Sequence, residues 1–583
     1  MILLPLRALK SKTHIYPPLM PNIRDWPIHK LYEDRDGLIN TVDQLTLDHI
    51  VEKHGERIGD LISRVCYLEL IRLKETPWKV DPPNEQQFWK RVRSEVTANE
   101  KHKPDVRLQN NTELLRRIIH RYTTEIAGNF KESTFLFARR FLTLFFKRLL
   151  NAAAGKNYQK LWRTKLELYE RIRLHGDVNH VRNMFSHGTV VILPTHLSNL
   201  DSVLIGYALD EVVGLPAFSY GAGLNLYESE LFAFYMTRLG AYRVDRRKKN
   251  PIYLDSLKFM SQVMLEKGTN SLFFPGGTRS RSGEIEKELK YGLLNSLLAA
   301  QRSIYQGGGN QKIIVIPMII GYHCTLEAQT LISSYLKTTG EEKYVASGRK
   351  NLSLRNILSF AWKFLARSSE IHLSFGEPMD VLGFKLDGNA RSIDERNQEV
   401  DIKEFFSLHG KIEANRQRES VYTRKLADKV VENYHRYYVV LTSHLAAFTA
   451  FQLLRKLHPT MDLYAVLRLP VEMLSIPLPL FRNTFSLYLE KLKEMEKAGK
   501  LKLQEELHSP DIDASIQHGV KYLGSFHAIW PLRFGQHDDI VAKNPMLVYY
   551  YHNRLSGYDL EDAIVWDQEK VMQAQDRLQQ AED

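Results

Sequence analysis

A chain of 583 residues is longer than one ordinary domain and points to roughly two to four units. Its hydrophobic content of 44% and charged content of 25% are ordinary globular values that allow large cores. A net charge of +12 favours acidic partners (nucleic acid, anionic headgroups or phosphorylated substrates), and two cysteines exclude a disulfide framework and fit a reducing compartment.

The opening stretch, MILLPLRALKSKTHIYPPLMP, is an apolar patch broken by Pro5 and Arg7. It lacks the uninterrupted apolar core and small-residue cleavage site of a secretory leader. Residues 1–110 are expected to be helical, because LTLDHIVEKHGERIGDLISRVCYLELIRLKE sets strong helix formers at helical spacing. ETPWKVDPPNEQ and NEKHKPDVRLQNN carry Pro and Asn breakers and read as loops. Residues 111–185 continue helical. Within them, Arg139, Arg140, Thr143, Lys147 and Arg148 share about half of a helical wheel over residues 133–155. Phe and Leu fill most of the rest. This pattern suits a helix lying in the headgroup layer of an anionic membrane, or a core helix with snorkelling basic residues.

From about Gly188 the pattern changes to short β-rich runs between helical stretches: TVVILPT, GAYRV, NSLFF, IIVIPMII and EIHLSF. Continuous apolar runs of this kind are expected where strands are covered on both faces. An α/β domain is therefore expected over residues 186–385, a polar insertion over 386–420 and a helical region over 421–583. Residues 437–454, YYVVLTSHLAAFTAFQLL, contain no Asp, Glu, Lys or Arg. Thr442, Ser443, His444 and Gln452 make this a buried helix in preference to a membrane span, which needs about 18 apolar residues.

Four stretches could carry chemistry. In VVILPTHLSNLDSVL an apolar strand ends at His196, and Asp201 follows five residues later. On one helix the two would point about 140° apart, but a strand end, a tight turn and a helix starting near Asp201 bring them together. The pair is then either a capping Asp beside an incidental His, or a base with the carboxylate that orients it. In FFPGGTRSRSG, Gly276 and Gly277 allow close backbone approach, Thr278, Ser280 and Ser282 supply hydroxyls, and Arg279 and Arg281 supply planar donors suited to phosphate. The Gly-Lys-Ser/Thr ending of a nucleotide-binding loop is absent. LGAYRVDRRKK places Arg246 just beyond a short strand, and VIPMIIGYH is a buried strand interrupted by Pro317.

Together and in this order, the four resemble the blocks of the glycerophospholipid acyltransferases: THLSNLD, GAYRVDR, FPGGTRSRSG and VIPMIIGYH. Similarity extends to RYTTEIAGNFKESTFLFARR before the blocks, and to IGYHCTLEAQTL, LSFGEPMD, VVLTSHLAAFTAFQLL and LVYYYHNRL after them. This favours the glycerol-3-phosphate and dihydroxyacetone-phosphate branch and covers most of residues 112–555.

The resemblance implies a mixed sheet flanked by helices, with helical N- and C-terminal regions. It implies that His196 takes the proton from the sn-1 hydroxyl of glycerol 3-phosphate, that Asp201 orients it, and that the resulting oxygen attacks an acyl thioester without a covalent acyl-enzyme. Arg246, Arg279 and Arg281 match positions that hold the phosphate, with Ser280 as a secondary donor and Gly277 and Thr278 in the same loop. The thioester would be acyl-CoA or acyl carrier protein; no cofactor or metal is implied. Work at the cytoplasmic side of a membrane, as a peripheral or monotopic protein on an anionic surface, is the matching expectation.

One departure matters. The family's third block carries an acid before its second glycine, and here that position is Gly276. Arg279 and Arg281 are then expected to be held less firmly unless another carboxylate, Glu284 or Glu286, takes the acid's place. Alternative readings are dihydroxyacetone phosphate or lysophosphatidate as acceptor, an inactive membrane-associated scaffold of the same fold, and a basic nucleic-acid-binding protein. No recognised nucleic-acid module supports the last, and no nucleic-acid partner is expected.

Overall fold

The computed structural model describes residues 15–78, 80–154, 171–224, 230–339, 370–523, 527 and 529–579. Helices α1 (Pro27–Glu33), α2 (Arg35–His54), α3 (Ile58–Glu75), α4 (Glu85–Asn99) and α5 (Pro104–Ile126) form the N-terminal part, followed by α6 (Glu132–Ala154). α5 shows why: Pro104 occupies its first turn, where no amide hydrogen is needed. Leu114, Leu115, Ile118, Ile119, Tyr122 and Ile126 then recur at helical spacing and are buried as one stripe. That N-terminal core continues onto Tyr242, Ile252, Tyr253 and Leu257, which belong to the α/β unit.

Seven strands of the described residues form one sheet in the order β1-β7-β6-β2-β5-β3-β4. They are β1 (Ile172–His175), β2 (Gly188–Pro194), β3 (Ser219–Gly223), β4 (Ala241–Val244), β5 (Ser271–Leu272), β6 (Lys312–Tyr322) and β7 (Ile371–Phe375). Only β6 and β7 pair antiparallel, with Met318 opposite Phe375, so the sheet is mixed. Its central strands divide their residues between two cores. Val191 and Leu193 of β2, with Ile313 and Val315 of β6, face one side; Val190, Ile192, Ile314 and Ile316 face the other. The two-residue period of a strand turns a continuous apolar run into two buried faces.

The α/β unit starts earlier than residue 186. β1 and α7 (Val178–Met184) already belong to it, and β1 pairs with β7 along its length. Only Ile172 of the IRLH strand is fully buried. An edge strand of this kind lacks the apolar run that marks the central strands.

α8 (Asp201–Tyr207), α9 (Glu230–Arg238), α10 (Pro251–Glu266), α11 (Tyr291–Gln306) and α12 (Ala328–Thr339) connect the strands. Residues 386–420, expected as a polar insertion, carry short hairpins and are anchored by buried Ile402 and Phe406, the latter edge-on to Tyr305. Helices α13 (Arg416–Arg436), α14 (Thr442–Leu457), α15 (Leu478–Lys497), α16 (Ile512–Tyr522) and α17 (Pro545–His552) follow.

α14 lies in the middle of this last group and is buried almost all round. Most of its polar side chains are partnered, the Thr449 hydroxyl being an exception: Thr442 N donates to Gln504, and His444 Nδ1 lies 2.7 Å from Tyr438 Oη. This explains an uncharged segment that is no membrane span. Among the described residues no helix is long and apolar enough to cross a membrane.

Candidate active site

β2 ends at Pro194, the chain turns through residues 195–200, and α8 begins at Asp201. Asp201 is fully buried, and its carboxylate gathers four donors. Oδ2 lies 2.9 Å from His196 Nδ1 and accepts from the amides of Leu197 and Ser198 at 2.6 and 2.9 Å. Oδ1 accepts the Tyr322 hydroxyl at 2.8 Å. One acid therefore closes the turn and fixes the imidazole. With Nδ1 held, Nε2 is the ring nitrogen left for the cleft that His196 lines. Phe274 stacks on the ring with centroids 4.1 Å apart, removing its rotational freedom. Burial, and then the neighbouring Asp201 carboxylate, hold the Tyr322 phenol well above its ordinary pKa, so it remains a donor.

The cleft beside His196 has a volume of about 360 Å³, and Arg246, Arg247, Arg279, Arg281 and Thr278 are among the residues lining it. Sequence alone does not distinguish Arg246 from the basic residues that follow it. The fold does. Arg247 pairs with Asp81 and Asp245 and lies over Trp78, and the buried Lys248 pairs with Glu125. Among the described residues no carboxylate pairs with Arg246. Partial burial and the adjacent Arg279 hold its pKa below the usual arginine value, so an anion there would relieve both penalties. Arg279 is braced from behind: Glu327, 1% exposed, accepts its Nη1 at 3.0 Å. The same carboxylate accepts from Ser198 Oγ and Asn199 N, so it ties the cleft-lining arginine to the histidine turn.

A general base on a carboxylate, at the floor of a cleft walled by arginines, suits transfer to a hydroxyl on a phosphorylated acceptor. Residues 171–321 match the family described as Acyltransferase. The chain is 25% identical over 456 residues to a glycerol-3-phosphate acyltransferase of Shewanella frigidimarina, which covers 76% of this chain and 50% of that protein. It is 23% identical over 377 residues to a glycerol-3-phosphate acyltransferase of Aeromonas hydrophila subsp. hydrophila, covering 64% and 42%. The chain thus spans about half the length of the curated relatives it matches. Residues 171–321 thus carry an acyltransferase domain, and the similarity to glycerol-3-phosphate acyltransferases extends beyond it.

Not every residue expected at the site of this acyltransferase domain reaches the cleft. Ser280 is spent within its own loop: its hydroxyl donates to Glu284 O and its amide to His196 O. It is therefore a clamp between block three and the histidine turn and no phosphate donor. Gly277 lies outside the cleft lining and has φ +77°, so it serves the turn.

At Gly276 the question is which carboxylate stands nearby. Glu284 is turned away, pairing with Lys287 and Ser282. Glu286 is the one: its Cγ lies 3.1 Å from where a β-carbon on Gly276 would sit, and its Oε1 accepts the His196 amide at 2.7 Å. Tyr322 lies within the fourth block and Glu327 just after it, and neither carried any further signal in the sequence.

A second cavity of about 150 Å³ adjoins the domain's cleft, sharing Ser202 and Tyr220 with it. It is apolar, bounded by Phe135 and Leu142 of α6, Val203 and Gly206 of α8, and Met236. Arg139 lies at this cavity, not on an outward basic stripe: it pairs with Asp210 and sits over Phe135 and Trp26. Burial pushes Asp210 up to about 6, against the pull of Arg139. The side chains of Lys147 and Arg148 lie outside the described residues. Phe137, Phe141 and Phe234 form an exposed aromatic face on α6 and α9, with Phe137 stacked on Phe141.

Proposed function

We propose that this protein transfers a fatty acyl group from an acyl thioester to the sn-1 hydroxyl of glycerol 3-phosphate, forming lysophosphatidate. The observation that carries the proposal is the pairing of cleft-lining His196 with buried Asp201 beside Arg246, Arg279 and Arg281 in one cleft. The arginines would take the acceptor phosphate, leaving its hydroxyl within reach of His196 Nε2. As that nitrogen accepts the proton, the hydroxyl oxygen bonds to the thioester carbonyl carbon. Collapse of the tetrahedral adduct breaks the carbon–sulfur bond, and the imidazolium returns its proton to the departing thiolate. Asp201 stabilises the imidazolium in between. The reaction uses only the two substrates and these side chains.

The adjoining apolar cavity supports a fatty acyl donor, because hydrocarbon is favoured there over water and phosphate is not. The aromatic face supports seating on an anionic membrane, where long-chain donors and products reside.

The test is an assay of purified protein that pairs glycerol 3-phosphate, dihydroxyacetone phosphate and lysophosphatidate with acyl-CoA and acyl carrier protein thioesters. Products are identified by mass, with His196→Ala as control. Lysophosphatidate from glycerol 3-phosphate is expected, and none from the control. A folded His196→Ala protein with substantial turnover overturns the mechanism; a different best acceptor overturns the substrate assignment. For the membrane, Phe137→Ser/Phe141→Ser is expected to reduce sedimentation with phosphatidylglycerol vesicles. Unchanged sedimentation would reject that face.

A further inference from the structure

We propose that Glu286 is a positioning residue for His196, and that Gly276 is a glycine because its missing side chain is the space Glu286 occupies. The inference rests on His196 acting as the base.

The geometry is asymmetric. Oε1 of Glu286 accepts the His196 amide at 2.7 Å, fixing the backbone of the residue whose imidazole Asp201 holds from the other side. Oε2 is buried and has no hydrogen-bond partner. A buried carboxylate oxygen left without a partner is costly, and sites of function are where such a cost persists. Burial raises the pKa of this group, while the His196 amide and the charges of Arg554 and His196 pull it back, so the carboxylate is within electrostatic reach of the imidazole. An anion held there favours the protonated imidazole that forms during transfer.

Gly276 completes the arrangement. Its φ is not in the left-handed region, unlike that of Gly277, so its backbone would accept a side chain. What a β-carbon would meet is Glu286: Cγ at 3.1 Å and Oε1 at 3.5 Å. A side chain at position 276 and Glu286 in its present place therefore compete for the same space, since even the β-carbon would press on Glu286. Two together would crowd a pair of acids into one dry site. The absence of an acid at 276 and the presence of one at 286 are one feature, read from two ends of a loop.

The experiment is a set of four variants of the full chain: Glu286→Gln, Glu286→Ala, Gly276→Glu and the double Gly276→Glu/Glu286→Ala. Displacing a base by a fraction of its hydrogen-bond length costs up to about 10²-fold, so Glu286→Ala is expected to lower kcat on that order with little change in acceptor KM. Glu286→Gln keeps the shape and an acceptor oxygen but removes the charge, and is expected to lower kcat less. The double variant is expected to recover to within roughly tenfold of wild type. Wild-type kcat in Glu286→Gln and Glu286→Ala, a loss confined to acceptor KM, or a double variant no better than Glu286→Ala, each overturns the role. Thermal unfolding of the same set needs no turnover. Gly276→Glu alone is expected to melt lower than the double, and a double that melts no higher overturns the shared space. Should Glu286→Ala fail to fold, the isosteric Gln variant and the double still decide. An inactive wild type would reject the acyltransferase reading, while the melting comparison would still report on the pair.

Discussion

Asp201→Asn separates the two tasks of this carboxylate. With its amide oxygen in the place of Oδ2, asparagine still accepts from His196 Nδ1 and from the amides of Leu197 and Ser198. Its NH2 then meets the Tyr322 oxygen, which can accept it once the hydroxyl turns. The turn therefore survives, and the structural loss is the charge assistance of these bonds, about 1–3 kcal/mol in all. What disappears is the negative charge that stabilises the imidazolium. The expected fall in kcat is about 10²–10⁴-fold, equivalent to about 3–5 kcal/mol of barrier.

Asp201→Ala behaves differently. It leaves the buried Leu197 and Ser198 amides without an acceptor, at about 1–3 kcal/mol each, so it is expected to melt well below Asp201→Asn. The assay is kcat at saturating substrates beside thermal unfolding for wild type and both variants. An Asn variant that is folded and within tenfold of wild type would refute the charge argument. An Ala variant as stable as wild type would refute the claim that this carboxylate closes the turn.

Arg246→Ala and Arg279→Ala are both expected to raise acceptor KM by about 10–100-fold, the scale of a lost charge-assisted hydrogen bond, with smaller effects on donor KM. Only Arg279→Ala should also lower the melting temperature, because it strips a partner from the buried Glu327; equal effects on both substrates would remove the phosphate assignment. Gly206 lines the apolar cavity, and a β-carbon there meets nothing within 4 Å. Gly206→Phe should spare butanoyl thioesters and depress kcat/KM for hexadecanoyl ones: excluding about four methylenes costs about 3 kcal/mol, on the order of 10²-fold. An unchanged chain-length profile would mean that hydrocarbon goes elsewhere. Burial holds His175 and His518 down at about 4 and His444 at about 3, so they stay neutral in the fold while an unfolded chain protonates them below about 6.5. Stability is therefore fully present above that pH and is lost as pH falls towards 4, by about 1.4 kcal/mol per pH unit for each such histidine. A melting temperature that is flat between pH 7 and pH 5 would contradict this.

Those features that depend on local chain geometry were legible in the sequence. An apolar run ending at His196, with Asp201 five residues on, admits one simple geometry, strand–turn–helix, and that is the one found. The alternating cores of β2 and β6 follow from the same local rule. What stayed hidden depends on partners distant in sequence. Nothing in RVDRRKK says that Arg247 and Lys248 are neutralised by Asp81 and Glu125 while Arg246 is not. Arg139 reads as one cation of an amphipathic stripe until Asp210, on the turn after α8, is seen to claim it. Ser280 reads as a phosphate donor because its hydroxyl's acceptor is a backbone carbonyl, which no sequence pattern reveals. β1 escaped because an edge strand exposes half of what a central strand hides.

The pairing of Arg247, itself at the cleft, with Asp81 and Asp245, and of the buried Lys248 with Glu125, bears on which anions the cleft would reject. Five cations crowding one mouth would attract any polyanion, including nucleotides and inorganic polyphosphate, whatever their shape. With Arg247 neutralised by Asp81 and Asp245, Lys248 by Glu125, and Arg279 sharing Glu327, the net positive charge is smaller and, under the proposed function, would favour one phosphate over a polyanion. Selectivity would then be made by subtraction. Asp81 and Glu125, neither of which lines the cleft, would then act as filters on the traffic into the site, and Asp81→Asn is expected to widen the range of anions that compete with the acceptor in an inhibition assay.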